Sequence, residues 1–272
     1  MSSLPTVFHI THVKSGSQWV KAILTEAAPK RIVATKVGLG QFYEEPLKPG
    51  GIYPALYVPR PRFEQTVTPK VDLDPQTYQP TRSDAASVWN WYRFTVQKEP
   101  QVKFVVIRDL RDMLVSLYFS LKVSHKIISE NVAEGHEKLN AMSEEDGILF
   151  LIDERLQATA NIQRSWLRAC QAGEARLFHY EDLIADEQTE FARVIEHCQI
   201  EIAPQKLAKI VEKNSFSKQA GRKPGEEDVS SHFRKGVAGD WRNHFTDRIK
   251  TDFKQKYGPL LVETGYEKNL DW

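Results

Sequence analysis

Cysteine is nearly absent from the chain: Cys170 and Cys198 are the only two in 272 residues. That is too few for a disulfide framework or a cysteine-based metal cluster, and it fits a reducing compartment. No apolar run approaches the roughly 18 residues that a membrane-spanning helix needs. Met1 to Pro5 carries no basic stretch leading into an apolar one, as a secretory leader would. Neither sign of charge dominates: 37 Lys and Arg against 36 Asp and Glu leave a net charge of +1. Bulk charge therefore excludes a strongly basic nucleic-acid binder, though not a local basic pocket. There is no internal repeat and no low-complexity tract. The expectation is a soluble cytoplasmic protein, 41% hydrophobic and 27% charged, folded as a single domain over residues 1–272.

The elements alternate. Thr6 to His12 is rich in β-branched and aromatic residues and reads as a strand, a Lys-Ser-Gly-Ser turn follows, and Trp19 to Ala28 reads as a helix stopped by Pro29. Arg31 to Val37 and Ile52 to Val58 are further strand candidates, the second interrupted by Pro54. Residues 59–83, with Pro59, Pro61, Pro69, Pro75 and Pro80, read as an irregular surface excursion. Ser83 is placed to cap a helix running to Gln97. Lys103 to Ile107 suits a buried parallel strand. A helix from Asp109 to Leu121, a long one from Asp146 to Ala172, a strand from Ala175 to His179, helices over 187–198 and 204–213, a loop over 215–239 and a helix over 239–257 complete the reading. The pattern predicts an α/β fold with a mostly parallel central sheet flanked by helices, and ligands at the carboxyl ends of its strands.

Three segments offer anion-binding chemistry. In His12-Val-Lys-Ser-Gly-Ser-Gln-Trp19 a strand passes through a glycine turn into a helix, where free N–H groups and the helix dipole favour an anion. Lys14 adds charge, and Ser15 and Ser17 add hydroxyl donors. It is not the triphosphate loop, which places a glycine well before its lysine. In the second segment, Arg108 leaves the best strand at its carboxyl end, and Ser116 lies about two helical turns further on. In the third, Arg234 and Lys235 precede Gly236, whose lack of a side chain lets backbone approach an anion, and Asp240 is placed to cap the next helix. Each segment alone also reads as an ordinary turn, a charged surface cluster or a solvated basic loop.

Together, in this order and spacing, they resemble the cytosolic-type sulfotransferases, which use 3′-phosphoadenosine 5′-phosphosulfate (PAPS) and release the bisphosphate PAP. Thr11-His-Val-Lys-Ser-Gly-Ser-Gln-Trp19 is similar to the family's Thr-Tyr-Pro-Lys-Ser-Gly-Thr-Thr-Trp. Arg108 and Ser116 keep its Arg-to-Ser spacing, and Arg234 to Thr246 its Arg-Lys-Gly-x-x-Gly-Asp-Trp-Lys-Asn-x-Phe-Thr. Phe178-His-Tyr-Glu-Asp-Leu183 and Asn214-Ser-Phe216 are weaker echoes. The resemblance implies a P-loop-like strand-loop-helix in which Lys14, Ser15, Gly16, Ser17 and Gln18 hold the 5′-phosphosulfate with Trp19 near the adenine. It implies that Arg108, Ser116, Arg234, Lys235 and Gly236 hold the 3′-phosphate, and that Tyr180, Asn214 and Phe216 line the adenosine. Lys14 and Ser116 are the implied catalytic residues, and no metal is expected. The acceptor would be a small molecule, lipid or carbohydrate, with neither nucleic acid nor a membrane span involved.

The family's histidine base has no counterpart here. Tyr57, in Leu56-Tyr57-Val58-Pro59, falls where it belongs, and an ordinary tyrosine is a poor base at neutral pH. His12, Glu44 and His125 are the other candidates, and the base is unassigned. A PAPS- or PAP-binding module without turnover, or a nucleotide phosphotransferase, are the competing functions. The family's dimer motif is altered at Asp247 and Thr251, which puts that interface in doubt. Trp89, Trp91, Tyr92 and Phe94, within residues 59–102, are placed either to build an acceptor pocket or to pack on the sheet.

Overall fold

The computed structural model describes residues 4–33, 44–124 and 130–272. Four strands, β1 (Thr6–Ile10), β2 (Ile52–Leu56), β3 (Gln101–Ile107) and β4 (Arg176–His179), form one parallel sheet in the order β2-β1-β3-β4. The expected α/β class with a parallel sheet is the fold observed. Helix α1 (Ser17–Ala27) follows β1, and α2 (Arg60–Val67) and α3 (Ala86–Trp91) separate β2 from β3. Next come α4 (Leu110–Phe119), α5 (Glu130–Asn140), α6 (Glu144–Glu154) and α7 (Leu156–Gln171), which lead to β4. After it come α8 (Tyr180–Ala185), α9 (Glu187–His197), α10 (Pro204–Lys213), α11 (Phe216–Ala220), a 3-10 turn (Asp240–Asn243) and α12 (Asp247–Glu263).

Alternation along the strands divides the core. Val7, Phe104 and Val106 face α1, α9 and α10, while Phe8, Ile10, Val105 and Ile107 face α2 and α7. A third apolar cluster joins α4, α6 and α12. The chain leaves β1 toward β2 and crosses back to β3, so the connections after β1 and β3 diverge. That opens the crevice in which open parallel sheets bind ligands.

The structure corrects several local expectations. The excursion over residues 59–83 contains α2. Pro59 and Pro61 sit at its cap and first turn, where their missing N–H groups cost nothing, and the pair Phe63 and Val67 is buried. Ser83 caps nothing: α3 begins after Ala85 and runs into a π-turn over Tyr92–Val96. The expected helix over 146–172 breaks at Arg155, because α6 buries its stripe against α4 and α12 whereas α7 must also place Ile162 and Trp166 on the sheet. Pro54 lies inside β2, the strand at one end of the four-stranded sheet, where a proline is tolerated. Of Arg31 to Val37 only the first three residues are among those described, and Ile32 makes an isolated parallel bridge to Ile52.

Candidate functional site

At the crevice lies a cavity of about 400 Å³, lined among others by Lys14, Gly16, Ser17, Gln18, Trp19, Arg108, Ser116, Tyr180, Asn214, Phe216, Arg234, Lys235 and Gly236. Three segments far apart in sequence thus bring four cationic side chains to one space. Trp19, Tyr180 and Phe216 give it aromatic walls.

The first loop is shaped for close approach. Lys14 has left-handed backbone (φ 60°), as does Gly16 (φ 77°), where a Cβ would stand 2.9 Å from the Tyr180 ring. Burial, then Arg108 and Arg234, push the Lys14 amine down to about 8. Ser17 opens α1, and its hydroxyl lies 2.6 Å from the Tyr57 hydroxyl. A bulge between Phe8 and Ile10 inserts an extra residue in β2, with Ala55 left-handed at φ 59°. It leaves Leu56 in the core and Tyr57 at the cavity. The Ser15 hydroxyl turns inward, bonding the His12 carbonyl at 2.7 Å and the Thr11 hydroxyl at 2.6 Å. Its side chain shapes the loop instead of lining the cavity.

His12 is also committed elsewhere. It is fully buried, and its Nε2 accepts from the Arg108 backbone N–H (3.2 Å) and from the Gln163 amide (3.0 Å). Nε2 is therefore unprotonated, and Nδ1–H donates to the Val13 carbonyl at 2.9 Å. Burial pushes its pKa down to about 4, so it is neutral. Gln163 also donates to the Arg108 carbonyl (2.8 Å), and the Arg108 guanidinium donates to the Lys14 carbonyl (3.0 Å). These bonds lock the loops after β1 and β3 together. The guanidinium sits 4.6 Å over the Tyr180 ring, and its Nε is buried without a hydrogen-bond partner among the described residues.

The third segment is held by carboxylates. Asp240 does not cap a helix; Thr246 caps α12 instead. Asp240 pairs with Arg234 at 2.5 Å and Lys235 at 2.6 Å. Burial would raise its pKa, but hydrogen bonds from His244, Lys235, Asn243 and Arg234 hold it far below the usual carboxylate range. Glu227 pairs with Arg234 as well, and that guanidinium lies 4.6 Å over Phe119. Asp112 accepts from the N–H groups of Gly239 (2.5 Å) and Trp241 (2.8 Å), tying this loop to α4. At Gly236 (φ 67°) a Cβ would stand 2.5 Å from the Phe216 ring. Asn214 donates to Glu26 at 3.0 Å and to the Ile210 carbonyl at 2.9 Å, which fixes the start of the Phe216 turn.

Among the proton-acceptor candidates, Tyr57 reaches the cavity, His12 is buried in the loop lock, Glu44 is exposed and does not line the cavity, and His125 lies outside the described residues. Trp91 and Phe94 are buried and Phe94 packs on Phe8, so the aromatic helix face serves the core. Ser120, Glu187 and His232 line the cavity without having been singled out by any motif. Asp112 and Gln163 were equally invisible, since a carboxylate or amide that serves a distant backbone carries no local pattern.

Residues 4–265 match the sulfotransferase domain family. Human sulfotransferase 1C2 is 22% identical over 267 residues, covering 91% of this chain and 80% of that protein. The guinea-pig (Cavia porcellus) 3-alpha-hydroxysteroid sulfotransferase is 27% identical over 174 residues, 60% of this chain and 56% of that protein. The crystal structure of mouse sulfotransferase SULT7A1 complexed with PAP shares the fold with a TM-score of 0.62 at 16% identity, covering 98% of this chain and 90% of that one.

Proposed function

The chain belongs to the sulfotransferase family, and from that premise we propose that it transfers a sulfuryl group from PAPS to a hydroxyl or amine of a small-molecule acceptor by in-line displacement. The observation that carries this reading is the convergence of Lys14, Arg108, Ser116, Arg234, Lys235 and Gly236 on one cavity with aromatic walls. The buried Arg108 Nε, without a hydrogen-bond partner among the described residues, and the left-handed glycines Gly16 and Gly236, which pack tightly under the Tyr180 and Phe216 rings, suit an anionic nucleotide. The mouse relative of the same fold was crystallised with PAP. The guinea-pig relative is named for a hydroxysteroid, which supports a small-molecule acceptor.

The acceptor oxygen or nitrogen forms a bond to sulfur as the bond from sulfur to the 5′-phosphate oxygen breaks, and the acceptor gives up its proton. Catalysis of such a displacement rests on positioning and charge stabilisation. Lys14, Ser17, Gln18 and the amides at the start of α1 would hold the phosphosulfate, and Lys14 would neutralise the charge gathering on the leaving oxygen. Arg108, Ser116, Arg234 and Lys235 would hold the 3′-phosphate. Trp19, Tyr180, Asn214 and Phe216 would line the adenosine. Tyr57, against Ser17 at the cavity wall, is the candidate among the described residues that reaches the cavity and could take the acceptor's proton.

Thermal denaturation with PAP, ADP and ATP, without added metal, tests the donor. Ligand at 100 times its dissociation constant adds about 2.7 kcal/mol, a rise of a few degrees in Tm for a chain of this size. PAP should raise Tm and the other two should not. No shift, or an equal shift with ADP, would overturn the donor assignment.

A further inference from the structure

Among the described residues, Glu187 is the only acidic side chain lining a cavity that also holds Lys14, Arg108, Arg234 and Lys235. In an anion pocket a carboxylate repels the ligand unless it faces a part of the ligand that donates hydrogen bonds. Its place says which part. Glu187 opens α9, close to Ile184 on the preceding turn. Its carboxylate lies close to the Tyr180 phenol and to the Phe216 backbone amide. It therefore stands beside two of the aromatic walls on which a base would stack, while Arg234 and Lys235 pair with Glu227 and Asp240.

The carboxylate has capacity to spare. Two ionised oxygens offer about four acceptor positions. The neighbouring Phe216 amide can take one, and Glu187 forms no ion pair among the described residues. Half-burial pushes its pKa up, as expected of a carboxylate with little compensation. A second hydrogen-bond donor, supplied by the ligand, would satisfy it.

Resting on the donor reading above, we propose that Glu187 selects the base: its remaining oxygen accepts a hydrogen bond from the exocyclic amine of a 6-aminopurine, so that adenine is preferred to a 6-oxopurine. A 6-oxopurine presents an acceptor at that position, and two acceptors facing each other in a half-buried site repel. Hydrogen bonds to charged groups correspond to about ten- to hundredfold in affinity.

The test is calorimetric titration of the wild type, Glu187→Ala and Glu187→Gln with adenosine 3′,5′-bisphosphate and inosine 3′,5′-bisphosphate, with thermal denaturation of each protein as a folding check. The wild type should prefer the adenosine ligand at least tenfold. Glu187→Ala should lose that preference through weaker adenosine binding, with inosine binding unchanged or tighter. Glu187→Gln retains the size of the side chain and an acceptor beside the Phe216 amide, so it serves if Glu187→Ala fails to fold. Its amide can also donate to a 6-oxo group, so it should bind the two ligands within a few-fold of each other. Equal losses for both ligands in the variants would reduce Glu187 to a support for the Phe216 turn and overturn the assignment. Wild-type binding of both bisphosphates with equal affinity would overturn it too, while leaving the donor class intact. Binding of neither would overturn the donor reading itself and the base assignment with it.

Discussion

At Lys14 a left-handed backbone and a depressed amine pKa coincide. The shift, to about 8 from burial and from Arg108 and Arg234, fixes the sign of a pH effect. Below about pH 8 the amine is charged and attracts an anionic nucleotide; as pH rises through that value the proton and the attraction are lost. PAP affinity should therefore fall between pH 7 and 9, by up to about tenfold per unit above pH 8. Lys14→Arg, which keeps its charge there, should flatten the profile, and titration calorimetry across that range checks both. An unchanged slope in Lys14→Arg would assign the effect to another group. How legible the site was differs residue by residue. Lys14, Arg108, Ser116, Arg234, Lys235 and Gly236 stand in local motifs, because a phosphate-holding turn needs its glycine and its cation close together in sequence. Asp112, Gln163 and Glu187 do not, because what each touches is far away along the chain. Asp240 stood inside a motif yet was read as a helix cap, whereas it holds two cations in place.

At the scale of elements, the loops after β1 and β3 work as one unit because His12 and Gln163 join them. His12→Phe would leave the Arg108 N–H and the Gln163 amide without their acceptor, a loss of about 1–3 kcal/mol for each buried group. The Arg108 backbone would then no longer be fixed against Lys14. Affinity for PAP should drop more than affinity for AMP, which lacks the 3′-phosphate that Arg108 is proposed to hold. His12→Gln, with an acceptor near the Nε2 position, should recover part of the loss. Competition binding with the two nucleotides measures the ratio; equal losses for both would confine His12 to general stability. The four strands were readable because β-branched runs alternate with helical stretches, while their order in the sheet came from the structure. Boundaries were less so: Pro59 and Pro61 announced irregular chain, yet prolines suit a helix's first turn, and Phe63 with Val67 already carried the i, i+4 signal of α2.

Across the whole molecule, Arg111 ties three parts together. Its side chain is buried, paired with Asp109 at 2.7 Å and Glu267 at 2.6 Å, and its guanidinium lies 4.0 Å from the Trp241 ring and 4.4 Å from the Trp272 ring. It thus joins the start of α4, the 3-10 turn beside the Arg234 segment, and the C-terminal residues. Removing one partner of a buried ion pair leaves an uncompensated charge, which typically costs about 3–5 kcal/mol. Arg111→Ala should lower unfolding free energy by that order in urea denaturation, although Arg111 does not line the cavity. A loss under about 1 kcal/mol would mean that the C-terminal residues contribute little to holding the fold.

The sequence by itself determined the α/β class, the parallel sheet and the three candidate anion-binding segments, since periodicity, turn chemistry and phosphate-holding motifs are local properties of the chain. Only the tertiary structure decided that these segments share one cavity, that His12 is a neutral lock and not a free base, that Ser15 faces inward, and that Tyr57 meets Ser17. Each of those facts depends on which distant groups pack together, and a hydrogen bond across 96 or 151 residues leaves no trace in the spacing of either partner's neighbours.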